Sequence, residues 1–246
     1  MGDRIKIGLG QVSLKMGDKT ANRVTLSEAI VDAAKQGCDL VVLPECGLAG
    51  WLSATAREAA EPIDGPFCDE LRKLAQQHEI AIVAGFEECE GDRIYNSAVF
   101  LDEHGEVRTR HRKINELSIA KELYQTGASL EVIDWRGHAV GLLICADCWI
   151  PEFVDALHAM GANLILSPCA WAVQRGGEET NLAWIIDIYR QRIGTGDLTI
   201  AAANSVGEVT EGPWIGRILQ GNSLAIGHTE IVRGATSQAE LITFEY

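Results

Sequence analysis

Apolar residues along the chain fall into two alternating patterns: unbroken runs of strand length, and stretches in which they recur every third or fourth position. IKIGLGQV (5–12) reads as a strand, and Val24, Leu26, Ala29, Ile30, Ala33 and Ala34 then mark one face of a helix that Gly37 stops. DLVVLPE (39–45) is a second strand. A helix opened by Pro66 and carrying Leu71 and Leu74 follows, then a strand IAIVAGF (80–86). YNSAVFLDEHGEVRTRHRK forms a hairpin whose turn lies at Glu103, His104 and Gly105.

The second half repeats this order. VGLLIC (140–145) matches IGLGQV with Gly141 against Gly8, and NLILSPC (163–169) matches DLVVLPE. TIAAANSVG (199–207) stands where IAIVAGF stood, and NSLAIGHTEIV (222–232) echoes NSAVFLDEHGEV (96–107), with helices predicted at 151–160 and about 180–194. Strands apolar on both faces need cover on both sides. The expected fold class is therefore α/β: one domain over residues 1–246, a four-layer α-β-β-α sandwich built from two pseudo-symmetric halves.

Composition adds exclusions. With 246 residues, 47% hydrophobic and 23% charged, the chain has the balance of an ordinary folded protein. Its net charge of −14, with no dense basic run, opposes nucleic acid and anionic membrane partners. No apolar run reaches the roughly 18 residues of a membrane span, and the opening MGDRIKIGLGQVSLKMG has no charged-then-apolar leader, so a cytoplasmic location is expected. Lys6 stands where a myristoylation signal wants Ser or Thr. Seven cysteines, an odd number scattered through apolar segments, suit reduced thiols rather than a disulfide framework.

Ligand sites in α/β sheets lie beyond the carboxyl ends of strands. Glu45, Lys113 and Cys145 are each placed at such an end. An acyl transfer needs a nucleophile, a group that takes its proton, and a cation where the carbonyl oxygen gains charge; these three residues can supply all of them. Cys145 also forms a CxxC with Cys148. A zinc site would want a second pair of ligands, and none of the six histidines pairs at metal spacing. For a dithiol, Asp147 beside the sulfurs would raise rather than lower their pKa.

LPE (43–45), HRK (111–113) and G-x-x-I-C-x-D-x-x-x-P-E (141–152), in that order and spacing, resemble the carbon-nitrogen hydrolases, the nitrilase superfamily. The resemblance covers about residues 4–246 and implies the same sandwich. It implies Glu45 as general base, Lys113 as the oxyanion-stabilising lysine and Cys145 as nucleophile, with Cys148 at a variable position. A further glutamate between the lysine and the cysteine is implied as well; Glu122 in KELYQTG fills it best, with Glu116 in KINEL the rival. Ala146 and Ile150 stand where many members carry aromatics, and Ala-Asp rather than Trp-Glu after the cysteine points towards amides over nitriles. Ala146 and Trp171 are candidate pocket walls.

The activity implied is a cysteine-dependent amidase or ω-amidase that hydrolyses a small carboxamide through a thioester, with no metal or organic cofactor required and a homodimer or higher homo-oligomer as its assembly. The alternatives are a nitrilase or N-carbamoyl amidohydrolase with the same residues, a silent member serving as an interaction module, and a thiol oxidoreductase using Cys145 and Cys148. Asp147 and Glu152 are read as structural, tying the nucleophile turn and capping a helix, and Asn204 and Arg217 as serving the fold. Selectivity is expected from loops near 47–65, 115–130 and 171–180.

Overall fold

The computed structural model describes residues 2–194, 196–228 and 230–246. In chain order the elements are β1 (Lys6–Gln11), α1 (Lys19–Lys35), β2 (Leu40–Val42), α2 (Ala56–Ala59), α3 (Pro66–His78), β3 (Ala81–Glu90), β4 (Arg93–Leu101), β5 (Val107–Arg112), β6 (Val132–Trp135) and β7 (His138–Leu142). There follow α4 (Pro151–Ala159), β8 (Leu164–Cys169), β9 (Ala172–Val173), α5 (Glu178–Ile193), β10 (Thr199–Asn204), β11 (Val206–Glu208), β12 (Ile218–Gln220), β13 (Leu224–Ile226), β14 (Glu230–Arg233) and β15 (Glu240–Glu245). Of the hairpin expected over 222–232, Thr229 lies outside the described residues.

Two six-stranded mixed sheets carry the fold, in the orders β15-β1-β2-β3-β4-β5 and β14-β13-β10-β8-β7-β6. The repeat read from sequence is thus a repeat of topology: β1, β2, β3, β4 and β5 correspond to β7, β8, β10, β13 and β14. Two edge strands escaped the periodicity. β6 pairs antiparallel with β7, and the chain's last strand, β15, returns to pair antiparallel with β1. A third sheet of short strands, β11-β12-β9, was not foreseen either.

Side chains alternate between two interiors, as strand pleating requires. Ile7, Leu9, Leu40, Val42, Val83 and Phe100 of the first sheet share a core with Leu142, Leu166 and Ala201 of the second. Val41, Ile82, Ala84 and Val99 face the other way, onto Leu26 and Ile30 of α1 and Leu71 and Ala75 of α3. On the opposite outer layer Val154 and Leu157 of α4 and Ile185 and Tyr189 of α5 cover the second sheet. Gly8 and Gly141, matched in the repeat, do the same work in each half. A Cβ on Gly8 would stand 3.2 Å from the Cys38 sulfur beneath α1, and one on Gly141 would stand 2.9 Å from Leu157 of α4.

The helices begin where the chain supplies caps. The Asp18 side chain accepts from the Ala21 N–H at the start of α1, and Pro66 and Pro151 open α3 and α4. No helix among the described residues is long and apolar enough to cross a membrane.

Candidate active site

The two halves meet at backbone level where the site lies. Beyond β2 the Glu45 N–H donates to the Cys169 carbonyl at 3.3 Å, which joins the equivalent ends of β2 and β8. Pro44 and Glu45 press against β3 at Gly85, where a Cβ would stand 2.5 Å from the Pro44 oxygen and 2.6 Å from the Glu45 Cα. A side chain at position 85 would therefore displace Glu45. The loop that follows is pinned by Glu87, which accepts from the N–H groups of Leu48 and Ala49 at 3.0 and 3.1 Å.

Glu45, Lys113 and Cys145 are 1%, 2% and 7% exposed and line one cavity. The Glu45 Oε1 accepts from Lys113 Nζ at 2.6 Å and from Asn96 Nδ2 at 2.6 Å, so one carboxylate oxygen is fully engaged and the other is left to the pocket. Burial works against charge on Lys113, yet the carboxylates of Glu45 and Glu116, with Cys145 and Asp147 behind them, outweigh it and hold the ammonium well above its ordinary pKa. Its surroundings therefore favour the charged form of Lys113.

Glu45 and Cys145 were expected at the last residues of their strands. Instead β2 stops at Val42 and β7 at Leu142, and each functional side chain stands three residues further on. Cys145 opens a 3-10 turn, Cys145–Trp149, in a left-handed conformation with φ of 49°. Such backbone is costly for a residue with a Cβ and persists only when its surroundings impose it. Here Asp147 imposes it. Fully buried, its carboxylate accepts from the Ile144 N–H at 3.1 Å, from the Ile114 and Asn115 N–H groups at 3.1 and 2.6 Å, and pairs with His111 Nε2 at 2.8 Å. Asn115 Nδ2 adds a bond to the Ala146 carbonyl at 2.7 Å. The turn that carries the sulfur is thereby tied to the segment that carries the lysine.

The geometry places the two candidate glutamates differently from the expectation, with Glu116 buried and Glu122 at the surface. A 3-10 turn at Ser118–Ala120 carries the chain outward, and Glu122 is exposed. Glu116 is 2% exposed, and neither of its oxygens has a hydrogen-bond partner among the described residues. Burial first, then the charge of Glu45, raise its pKa to about 7 against the pull of Lys113. Of the other expectations, Ala146 and Trp171 line the cavity. The Trp171 N–H donates to Asn204 Oδ1 at 2.7 Å, and Asn204 Nδ2 to the Gly221 carbonyl at 2.8 Å, so Asn204 serves the site through backbone. Arg217 stacks over Trp214 at 3.8 Å. Ile150 precedes α4 away from the cavity, and Glu152 is exposed in that helix's first turn.

Cys148 is fully buried and lies 3.5 Å from Ser167 Oγ, and burial pushes its thiol up to about 12. It is a core thiol. Among the described residues no group of three His, Cys, Asp or Glu is arranged to hold a metal ion.

Asn96 and most of the cavity wall were missed. Asn96 begins the Asn-Ser pair that recurs at Asn222 and Ser223, a signal available in the repeat. Trp51, Trp149 and Trp214 come from the loop after β2, the nucleophile turn and the loop before β12, and Asn181 and Ile185 from α5. No local periodicity marks them.

Burial raises Glu87 to about 7 despite its backbone donors, whereas in the unfolded chain it titrates near 4.5. Between those values the native state holds a proton that the unfolded state has lost, so stability falls as pH rises through this window. At 1.36 kcal/mol per unit the contribution is about 2–3 kcal/mol between pH 5 and 8. Urea unfolding of Glu87→Gln at the two pH values is expected to show a fall smaller than wild type by that amount; an identical fall removes Glu87 as its source.

The model of the carbon-nitrogen hydrolase family matches residues 6–233. Among characterised proteins, an (R)-stereoselective amidase of Pseudomonas sp. is 33% identical over 163 residues, covering 66% of this chain and 59% of that protein. The chain spans about three fifths of the length of the curated relatives it matches. The crystal structure of an amidase from Nesterenkonia sp. superposes with a TM-score of 0.85 at 25% identity, covering 100% of this chain and 91% of that one. A variant of that amidase showing covalent addition of the acetamide moiety of fluoroacetamide at the active-site cysteine superposes with a TM-score of 0.83 at 25% identity, over 98% and 90% of the two chains.

Proposed function

The chain belongs to the carbon-nitrogen hydrolase family, and from that premise we propose that it is a cysteine-dependent amidase acting on small carboxamides. The observation that carries this reading is the meeting of Glu45, Lys113 and Cys145 at one buried cavity, delivered by three separate elements. The amidases among its relatives and structural neighbours support it.

In the proposed reaction the free oxygen of Glu45 takes the thiol proton as Cys145 Sγ attacks the amide carbon. Lys113, whose charged form the neighbouring carboxylates favour, faces the oxyanion of the tetrahedral intermediate. Glu45 returns the proton to the amide nitrogen, the C–N bond breaks, ammonia leaves and a thioester remains. Glu45 then deprotonates a water that attacks the thioester; the C–S bond breaks, the sulfur is reprotonated and the carboxylic acid departs. Asn96 fixes the carboxylate through Oε1, and Glu116, whose charge acts on Lys113, fills the place of the second glutamate.

We take residues 1–246 to act as one domain, located in the cytoplasm and assembled as a homodimer or higher homo-oligomer. The outer faces of α4 and α5 are available for contact, and Trp184 on α5 is 44% exposed. The test of the activity is product analysis with short primary amides. Ammonia and carboxylic acid are expected in equal amounts, and hydroxylamine is expected to divert part of the acyl group to the hydroxamate. Absence of ammonia from every amide offered would refute the reading.

A further inference from the structure

β5 sends its side chains to two sides, as the strand period of two requires. On one side Arg110 and Arg112 each reach Glu88 at 2.7 Å. On the other, Thr109, His111 and Lys113 are buried. Lys113 continues this inward row one residue past the strand and binds Glu45 at 2.6 Å. His111, one step back in the row, is 4% exposed and meets Asp147 Oδ2 through Nε2 at 2.8 Å. A single strand end therefore touches the base beyond β2 and, through Asp147, the turn that opens with Cys145.

The hydrogen between His111 and Asp147 can be assigned. Asp147 already receives the N–H groups of Ile114 and Asn115 on Oδ1 and that of Ile144 on Oδ2. A carboxyl at which three donors aim is an acceptor, so Nε2 carries the hydrogen and donates it. Among the described residues this is the one side-chain donor to Asp147. The two oxygens are then held differently. Oδ1 is tied to the segment after Lys113, whereas on Oδ2 the Ile144 N–H belongs to the nucleophile turn itself and only the imidazole belongs to β5. Without that imidazole the turn is free to pivot about Oδ1, and the strain held at Cys145, with its φ of 49°, favours such a movement.

Resting on the reading of Cys145 as the nucleophile of an amidase, we infer that His111 is a positioning residue whose Nε2–H, acting through Asp147, holds the Cys145 sulfur in register with Lys113 and Glu45. His111 does not line the cavity, so its loss acts on the placement of the sulfur and not on the binding of substrate. A misplacement on the order of 1 Å costs about 10²-fold in rate. The deficit belongs to kcat.

The test compares His111→Leu, His111→Asn and His111→Gln with the wild type. Leucine fills space without a donor, asparagine carries a donor that falls short of the Nε2 position, and glutamine places one near it. Each protein is read as steady-state ammonia release from butyramide, as the rate of Cys145 alkylation by iodoacetamide followed by peptide mapping, and as urea unfolding. For His111→Leu and His111→Asn, kcat is expected to fall about 10²-fold with KM within about twofold of wild type, and alkylation to slow at least about tenfold. His111→Gln is expected to recover both rates to within about fivefold of wild type. A residue that serves stability alone would lower the unfolding midpoint and leave kcat of the folded enzyme unchanged. His111→Leu with wild-type kcat, a change confined to KM, or His111→Gln as slow as His111→Asn overturns the inference; should His111→Leu not fold, glutamine against asparagine decides by the same measures. Ammonia from no short amide offered to the wild type overturns the amidase reading instead, and the alkylation rates then decide the placement of the sulfur by themselves.

Discussion

Lys113→Met is expected to lower kcat on a short amide by about 10³-fold, the scale of losing a preorganised group that faces a developing oxyanion, and to destabilise the fold by about 3–5 kcal/mol. The two losses have different origins. The first is the cation missing from the tetrahedral intermediate. The second is the carboxylate of Glu45, 1% exposed, left with Asn96 as its only side-chain donor among the described residues. The double variant Lys113→Met with Glu45→Gln separates them: removing the stranded charge is expected to return most of the stability and none of the activity. Urea unfolding beside ammonia release reads both quantities, and a double variant as unstable as the single one would mean that the pair contributes packing rather than compensated charge.

Cys145→Ala is expected to remove at least about 10⁴-fold of the rate, more than 5 kcal/mol of transition-state stabilisation, with stability changed by no more than about 1 kcal/mol. Cys148→Ala is expected to keep near-wild-type turnover, because its thiol is buried in the core with a pKa raised to about 12. The comparison answers the question posed by the CxxC spacing. A dithiol mechanism would lose activity with either cysteine. The backbone adds a second reading: at φ of 49° a glycine is relieved of strain that alanine keeps. Cys145→Gly is thus expected to be more stable than Cys145→Ala by about 1 kcal/mol, both being inactive. Equal stabilities would show that the turn relaxes once the sulfur is gone.

The chain discloses its duplication because strands buried on both faces read as continuous apolar runs, and the repeat preserves their order. It discloses Glu45, Lys113 and Cys145 because their neighbours form three recognisable motifs. It does not disclose β15, whose place beside β1 is decided by pairing between the two ends of the sequence. The motif spacing favours Glu122 over Glu116, yet Glu116 is the one that is buried. The difference between them is one 3-10 turn, Ser118–Ala120, that sends one side chain inward and the other to solvent. Trp51, Trp149 and Trp214 are likewise silent, since each sits on an irregular segment and they converge only through the packing of both halves. Asp147 is the intermediate case. Its position two residues past the cysteine suggests a structural role, while its bonds to Ile114 and Asn115 depend on a segment over thirty residues away.

The central claim is that Cys145 carries the acyl group. Acid quenching during turnover of butyramide, followed by intact-mass measurement and peptide mapping, tests it directly. The expected result is one butyryl group per chain on the peptide containing Cys145, released by hydroxylamine, absent from Cys145→Ala and retained in Cys148→Ala. Turnover without any adduct, or an adduct that maps to another residue, would contradict the account.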